Sequence, residues 1–541
     1  MKAINRRFLA RRGTVLTATA ATAALTLSMV SPAGAEEGSS LKGSSVGSSK
    51  VTTGTVEAGS ADPFYDTSTV TPAKAGEILR HATAPYSGLF GDNDLALPDQ
   101  VDKIMYTTTN AEGKLEPVTG YVLEPTVPWR GEGPRPTLVV VRGTVGQGDQ
   151  CAPSRNWPLD GQPDPVYTGR FVNLEGLYDM MFANQGVRVV VTDLIGMGTP
   201  GTHTYMNRLD QAHAMLDAAR AARNLVESRG ETFGAVGLYG HSQGGGASTA
   251  AAEAQPEYAP DLNLVGAYAS APPADLNAVM ANIDGSDLSG AIGFSVNGLV
   301  RRYPGLEKII ADNVNETGRE ALDTLSGMCT DEIMEKYGYD TTREWITGGR
   351  SLSELVAESP EAQQAIADQR IGNGAPKVPV MIVSGRFDRN VAYGQAKDLA
   401  RAWCGKGVPV YYRDDIIPEI GPIGEYNHVA QSVSGGSFGI PFLMDRFHGR
   451  ELDASTLCTN WNGNEGSSAV DLSSALSSLP LSSGLVAPGA GEGSSSGVHG
   501  SGITSPEGTI AAIVAVVLAA LGGVTVSLLP LLRNAGVTLP F

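Results

Sequence analysis

The stretch that decides the fold runs from residue 235 to residue 247 and reads Ala-Val-Gly-Leu-Tyr-Gly-His-Ser-Gln-Gly-Gly-Gly-Ala, with Ser242 near its centre. It opens with a short apolar run typical of a buried strand, and an alanine-rich helical pattern begins at Ala247. Between them, Gly240-His241-Ser242-Gln243-Gly244 matches Gly-x-Ser-x-Gly in the strand–turn–helix context that this motif requires. Because glycines lie two residues before and after Ser242, the chain can bend sharply there without collision. The stretch therefore predicts a serine on a strained turn at the carboxyl end of a strand.

Strand-like and helical patterns alternate around this turn. The predicted strands are residues 103–108, 118–123, 138–141, 187–192, 235–239, 264–269, 378–383 and 408–412. We expect the first two to form a hairpin, whereas the later ones are continuous apolar runs typical of parallel strands covered on both faces. Helical patterns such as residues 209–228 lie between them. The sequence predicts an α/β fold with a mostly parallel central sheet and helices on both sides.

One interval interrupts the alternation. Residues 276–375 carry helical patterns at 276–283, 306–313, 318–325 and 353–368. A crossover between parallel strands needs only a dozen or so residues, so this interval is predicted to be an inserted helical subdomain between core segments 62–275 and 376–460. Its apolar, glycine-containing stretch 288–300 suits a movable lid, and a helix packed permanently on the core is an equally good interpretation.

A serine hydroxyl becomes a strong nucleophile only beside a base that takes its proton, and a histidine oriented by a carboxylate is the usual solution. At a strand–turn–helix serine, the chain order is serine, acid, histidine. Three histidines follow at useful distance: His428, His448 and His499. His499 falls in a Ser/Gly-rich stretch and His448 in a helical run, whereas His428 is predicted to lie in a loop just after a strand. His428 is therefore the preferred base.

The acid is predicted by the same order and placement. Asp388 follows the strand at residues 378–383, in the turn Gly385-Arg-Phe-Asp388. Its competitors are Asp414 and Asp415, which end the next predicted strand, and an aspartate in such a turn is often only a turn residue. Asp388 is preferred because it precedes His428 at the carboxyl end of a neighbouring strand.

Backbone N–H groups should stabilise the negative oxygen that forms when a serine attacks an ester. One is expected from Gln243, directly after the nucleophile, and the second from the glycine-rich loop at residues 142–148, at Gly143 or Thr144. The loop lacks the Gly-x-x-x-x-Gly-Lys-Ser/Thr pattern of a phosphate loop, so a nucleotide site is not predicted.

The two ends of the chain indicate export. Residues 1–35 combine a basic start, an uncharged run and a small-x-small cleavage site, as in a signal peptide. Their paired arginines suggest export by the twin-arginine route. The residues around these arginines fit a twin-arginine signal poorly, so the general secretory route is favoured. Residues 36–61 and 461–508 are predicted flexible spacers. Residues 509–532 carry no charge and are long enough for a transmembrane helix, which leaves 533–541 as a cytoplasmic tail.

The net charge and the cysteine spacing argue against two classes of function, nucleic-acid binding and metal binding. The 541-residue chain has 57 acidic against 39 basic residues and a net charge of −18, which makes nucleic acid an improbable partner. No obligate protein partner and no cofactor is inferred. An even number of cysteines in an exported chain favours disulfides, and the four present, Cys151, Cys329, Cys404 and Cys458, allow three pairings. None has Cys-x-x-Cys spacing, so no metal site is predicted.

Several motifs together resemble the secretory lipase family, that of fungal lipase A and related bacterial secreted lipases. They are Asp62-Pro-Phe-Tyr65, Gly143-Thr-x-Gly146 leading to Cys151-Ala-Pro-Ser154, Asp193 with Gly196-x-Gly198, Gly240-His-Ser-Gln-Gly244, and the pair Asp388 and His428. The resemblance covers roughly residues 62–460. It implies an α/β-hydrolase fold with a helical cap, a triad of Ser242, Asp388 and His428, and disulfides Cys151–Cys329 and Cys404–Cys458. The anchored C-terminus lies outside the family's usual pattern.

The main functional hypothesis is a serine carboxylic-ester hydrolase, most concretely a triacylglycerol lipase or esterase acting on lipid esters through an acyl-enzyme. One alternative is an acyltransferase acting on cell-envelope lipids, because an alcohol can intercept an acyl-enzyme in place of water. A second is a non-catalytic surface-binding module that retains the hydrolase shape; a complete triad in the right order argues against it.

Overall fold

The computed structural model describes residues 62–86, 97–156, 158–159, 170–415, 417, 419 and 424–459. The predicted signal peptide (1–35), the two spacers (36–61 and 461–508), the transmembrane segment (509–532) and the tail (533–541) lie outside the described residues and stay predictions. Within the part of the chain that is described, no helix is both long and apolar enough to cross a membrane.

A single sheet organises the described residues. Its strands are β1 (Ile78–Pro85), β2 (Gln100–Thr109), β3 (Leu115–Leu123), β4 (Thr137–Val141), β5 (Arg188–Thr192), β6 (Val236–His241), β7 (Leu264–Ser270), β8 (Val380–Ser384) and β9 (Val410–Asp414). The spatial order is β1-β2-β3-β5-β4-β6-β7-β8-β9. Strands β4 to β9 are parallel to one another, while β1, β2 and β3 form an antiparallel extension in which β3 pairs antiparallel with β5. The predicted α/β fold with a mostly parallel sheet is confirmed.

All eight predicted strands are present, and β1 is the strand that the sequence pattern missed. Among the described residues, β1 lies at the sheet edge and has β2 as its one paired strand. Within it only Ala84 is fully buried. An edge strand that buries so little carries no apolar run or alternation, which is why periodicity did not indicate it.

Thirteen helices accompany the sheet in the described ranges. They are α1 (Arg170–Ala183), α2 (Arg208–Ser228), α3 (Gln243–Tyr258), α4 (Leu276–Ile283), α5 (Gly290–Val300), α6 (Leu306–Asn313), α7 (Glu316–Leu325), α8 (Thr330–Tyr337), α9 (Thr342–Trp345), α10 (Leu352–Glu358), α11 (Pro360–Asp368), α12 (Tyr393–Gly405) and α13 (Gly424–Phe447).

Two apolar layers cover the faces of the sheet. Successive residues of a strand contribute to opposite layers: Val139 and Leu238 belong to the layer built with α2, α3 and α12, whereas Leu138 and Tyr239 belong to the layer built with α1 and α13. Because side chains alternate along a strand, a strand buried on both faces must be apolar throughout. This accounts for the continuous apolar runs that the sequence shows.

Helices α4 to α11 fall within the predicted insertion and share a hydrophobic cluster of their own. We call them the inserted helices. The suspected lid stretch forms α5, whose Ile292, Phe294 and Leu299 are buried in that cluster. In this structure the apolar face of α5 is therefore covered by the neighbouring helices, and lid movement stays a prediction.

Both disulfides implied by the family resemblance are confirmed. Cys151 follows β4 and bonds Cys329, which caps the start of α8 among the inserted helices. Cys404, near the end of α12, bonds Cys458. The first bond ties the loop beside the nucleophile turn to the inserted helices, so that these two parts cannot separate freely.

The disulfides give a stability prediction. Removing Cys151–Cys329 as a double serine variant should lower the melting temperature more than removing Cys404–Cys458, because the bonded cysteines are 178 rather than 54 residues apart. Chain entropy alone makes the difference about 1 kcal/mol. Thermal melting of the two double variants measures it, and equal losses would contradict the prediction.

Candidate active site

The turn between β6 and α3 holds Ser242 in an unusual backbone conformation. Its φ is +55° and its ψ is −122°, a region that residues other than glycine rarely adopt. The two flanking glycines explain how the chain tolerates it. A Cβ atom on Gly240 would lie 2.1 Å from the Gly244 carbonyl oxygen, and one on Gly244 would lie 2.0 Å from the Val141 carbonyl oxygen. Only glycine fits at either position, so the motif is a packing requirement of this turn.

The predicted acid and base are brought together beside this turn. The Nδ1 atom of His428 lies 2.7 Å from Oδ2 of Asp388. The other carboxylate oxygen of Asp388 accepts hydrogen bonds from the backbone N–H groups of Asn390 and Val391, each at 2.9 Å. Both side chains are buried. The carboxylate is thus held by its own turn and fixes the orientation of the imidazole.

The base and the serine share one small cavity of about 50 Å³. The His428 ring lies 4.5 Å, between centroids, from the ring of His241, which directly precedes Ser242. The lining residues are Gly143, Thr144, Glu175, His241, Ser242, Leu288, Thr330, Asn390, His428, Val429 and Ser432. A hydroxyl and an imidazole, two of the groups that acyl transfer requires, therefore line one cavity.

The expectation that His428 lies in a loop was wrong, because it lies in the first turns of α13. The sequence pattern indicated only the end of this helix, because the glycines before it and Pro441 are typical of turns. The glycines instead permit close packing on the sheet. A Cβ atom on Gly435 would lie 2.4 Å from the Tyr268 hydroxyl oxygen, and one on Gly439 would lie 2.6 Å from the ring of Tyr268. Tertiary packing has overridden local propensity here.

The competing residues have other partners. Asp414 accepts hydrogen bonds from Arg386 and Tyr393. Asp415 accepts one from Ser434. His448 stacks on Trp129 with ring centroids 4.8 Å apart. His499 lies outside the described residues.

The amide side chain of Gln243 anchors the start of α3. Its Nε2 donates to Nε2 of His203 at 3.0 Å and to Oε1 of Gln211 at 3.1 Å. Burial lowers the pKa of His203 to about 4, so its ring is neutral. Because the ring donates from Nδ1 to the Ile195 carbonyl, its Nε2 is free to accept. These bonds fix the position of Gln243, whose backbone N–H is the first predicted oxyanion donor.

One of the two N–H groups predicted as the second oxyanion donor, that of Gly143, already has a partner within the protein. The N–H of Gly143 donates to Oε2 of Glu175 at 2.8 Å. The neighbouring hydroxyl of Thr144 pairs with the Tyr205 hydroxyl at 2.7 Å. Sequence analysis missed Glu175, and the available signal was one of two acids, with Asp179, in the mostly apolar pattern of residues 171–182. Of the two N–H groups that were expected to face a substrate, that of Gly143 is therefore occupied by a buried carboxyl group, and that of Thr144 stays a prediction.

A buried ion pair lies behind this loop. Arg142 donates from Nη2 to Oδ2 of Asp179 at 2.6 Å and from Nη1 to the Glu175 carbonyl at 2.6 Å. Both side chains of the pair are buried. Removing either partner would leave the other as an uncompensated buried charge. The pair therefore fixes the end of β4 against α1 beside the cavity.

The family model described as secretory lipase matches residues 169–454. The chain belongs to the secretory lipase family. A secreted triacylglycerol lipase of Malassezia furfur is 26% identical over 409 residues, covering 73% of this chain and 78% of the relative. A probable inactive lipase of Mycobacterium tuberculosis is 28% identical over 413 residues, covering 74% and 85%.

Solved structures confirm the fold. Candida antarctica lipase A in its closed state superimposes with a TM-score of 0.61 at 22% identity, covering 72% of this chain and 87% of that one. A rice cell wall degrading esterase of Xanthomonas oryzae gives a TM-score of 0.56 at 17% identity, covering 70% and 100%. The predicted family and the predicted α/β-hydrolase fold are both confirmed, and membership of this family supports ester hydrolysis as the general activity.

The packing of the turn gives a prediction. Gly244→Ala should displace the turn and abolish esterase activity, because the new methyl group would overlap the Val141 carbonyl. Gly394→Ala is the matched control, since a Cβ on that glycine, also in the first turn of a helix, meets nothing within 4 Å. Thermal melting and hydrolysis of a p-nitrophenyl ester measure both variants. Equal behaviour of the two would contradict the packing argument.

Proposed function

We propose that this chain is a serine carboxylic-ester hydrolase in which Ser242 is the nucleophile, His428 the general base and Asp388 the residue that orients the base. The observation that carries the proposal is the 2.7 Å contact between His428 Nδ1 and Asp388, made beside the strained turn at Ser242. With Nδ1 engaged, Nε2 is the nitrogen left to take the serine proton.

The reaction proceeds in two halves. Ser242 Oγ bonds to the ester carbonyl carbon while its proton passes to His428 Nε2, and the carbonyl electrons move to oxygen. Collapse of this intermediate expels the alcohol, which takes the proton from His428, and leaves an acyl-enzyme. Water then attacks with His428 again as base, releasing the acid and regenerating Ser242.

The inserted helices support a lipid ester as substrate. We propose that they act as a cap over the site and that the acyl chain enters a second, apolar cavity of about 110 Å³ that they enclose. Tyr205 connects the two spaces, because it lines the apolar cavity while its hydroxyl contacts Thr144 of the catalytic cavity. Burying an alkyl chain there contributes about 0.8 kcal/mol per methylene group.

Two other activities remain as candidates. Transfer of the acyl group to an envelope alcohol uses the same acyl-enzyme and differs only in the acceptor. A non-catalytic surface-binding role is favoured by one relative, which is named a probable inactive lipase. The buried and fully hydrogen-bonded Asp388 argues against it, because a binding surface has no need of an oriented imidazole beside a strained serine.

The nucleophile assignment is tested by a labelled fluorophosphonate, peptide mapping and hydrolysis of p-nitrophenyl esters of several chain lengths. Ser242→Ala should lose the label and lower kcat by about 10⁶-fold. Ser432→Ala, which removes another serine hydroxyl from the same cavity, should still be labelled. Full activity in Ser242→Ala would refute the assignment, and an unreactive wild type would favour the binding role.

For localisation, we propose export followed by anchoring through residues 509–532, as their uncharged sequence predicts. Deleting residues 505–541 should move the protein from the membrane fraction to the culture fluid. Immunoblotting of the two fractions measures the shift, and an unchanged distribution would rule out the anchor.

A further inference from the structure

One acidic side chain in the catalytic cavity has no part in the scheme above. Glu175, on α1, is 4% exposed and lines the cavity together with Ser242 and His428. One carboxyl oxygen, Oε2, accepts the Gly143 N–H at 2.8 Å. The other, Oε1, would lie 3.0 Å from a Cβ on Gly143, and that Cβ would lie 3.8 Å from the His241 carbonyl oxygen. The carboxyl group therefore lies at the loop from which a second oxyanion donor is required.

The charged and titratable groups around Glu175 come from four elements. They are Arg142 after β4, Tyr178 and Asp179 on α1, Tyr239 and His241 on β6, and His428 on α13. The Arg142 side chain pairs with Asp179 and meets Glu175 only at its backbone carbonyl. Among the side chains that the structure describes, none brings a cation into direct contact with the Glu175 carboxyl group.

Burial raises the pKa of Glu175 to about 7, although Arg142, the Gly143 N–H and His428 act in the opposite direction. Its ordinary value is 4.5. The group therefore holds its proton at mildly acidic pH and carries an O–H donor inside the cavity, as buried carboxylic acids do in other oxyanion sites.

Resting on the proposed function, we propose that Glu175 is a further catalytic residue, whose protonated carboxyl group donates the second hydrogen bond to the oxyanion, opposite the backbone N–H of Gln243. As Ser242 Oγ bonds to the carbonyl carbon, the carbonyl electron pair moves onto oxygen and the serine proton goes to His428. Glu175 keeps its proton throughout and releases the hydrogen bond when the carbonyl reforms. The Gly143 N–H holds the acid in place.

A pH dependence follows with a definite sign. Below its pKa, Glu175 is neutral and donates. As the pH rises through about 7, it becomes a carboxylate, which cannot donate and repels the oxyanion. kcat/KM should therefore decline on the alkaline side with the pKa of this group in the free enzyme.

Two substitutions of Glu175 separate donation from packing. Glu175→Gln keeps an N–H donor, an acceptor for Gly143 and the same size, but does not titrate. We expect it to retain activity within about tenfold of wild type at pH 6 and to lack the alkaline decline. Glu175→Met removes the donor and should lower kcat by about 10²-fold with little change in KM.

Glu253→Gln is the matched control. Glu253 is a buried glutamate that likewise accepts backbone N–H groups, from Gly372 and Gly374, and it does not line the cavity. This variant should reproduce the wild-type pH profile. Thermal melting of all three variants establishes that each is folded at the assay temperature.

The measurement is kcat and KM for a p-nitrophenyl ester from pH 5.5 to 9. An alkaline decline in Glu175→Gln identical to that of wild type would overturn the proposal. Activity in Glu175→Met equal to or above that of wild type would also overturn it, since Glu175 would then only be covering the Gly143 donor. Failure of the proposed function is distinguishable, because the wild-type protein itself would hydrolyse no ester.

Discussion

The rest of the structure depends on one constraint: there is no room for a side chain two residues before Ser242 or two residues after it. The positions of Gly240 and Gly244 are filled to within about 2 Å by backbone atoms, including the Val141 carbonyl of the neighbouring strand. A turn this tight requires β4 and β6 to be adjacent and parallel, with α3 leaving immediately. The sheet order and the two apolar layers supply that arrangement. The positive φ of Ser242 is strain that the surrounding packing sustains.

Around this turn, buried polar groups occur in fixed pairs. Asp388 holds His428, Arg142 holds Asp179, and Gln243 holds His203. Each pair joins elements distant in sequence, and each loses far more from removal of one member than it contributes when intact. Such pairs add little net stability but allow few alternative arrangements. Acyl transfer benefits from this, because donors placed in advance need no reorganisation as charge develops.

The strands, the serine turn and the acid–base pair could be predicted from the sequence, because each depends on short patterns or on chain order. Strand-like patterns, continuous apolar runs in the later ones, located eight strands, and the Gly-x-Ser-x-Gly turn located the candidate nucleophile. Chain order then selected Asp388 and His428, which lie together. Three features escaped it. β1 buries too little to show a pattern, α13 is rich in glycine because it packs against Tyr268, and Glu175 gains its significance only through burial beside Gly143. Each of these depends on contacts that no local pattern encodes.

The central claim is that Ser242 is acylated with His428 as its base. A crystal structure of the protein after reaction with an alkyl phosphonate tests it most directly. The account predicts a covalent bond from phosphorus to Ser242 Oγ, His428 Nε2 within hydrogen-bond distance of the adduct, and the phosphoryl oxygen between the Gln243 N–H and Glu175. An adduct on another residue, or an imidazole turned away from phosphorus, would contradict it.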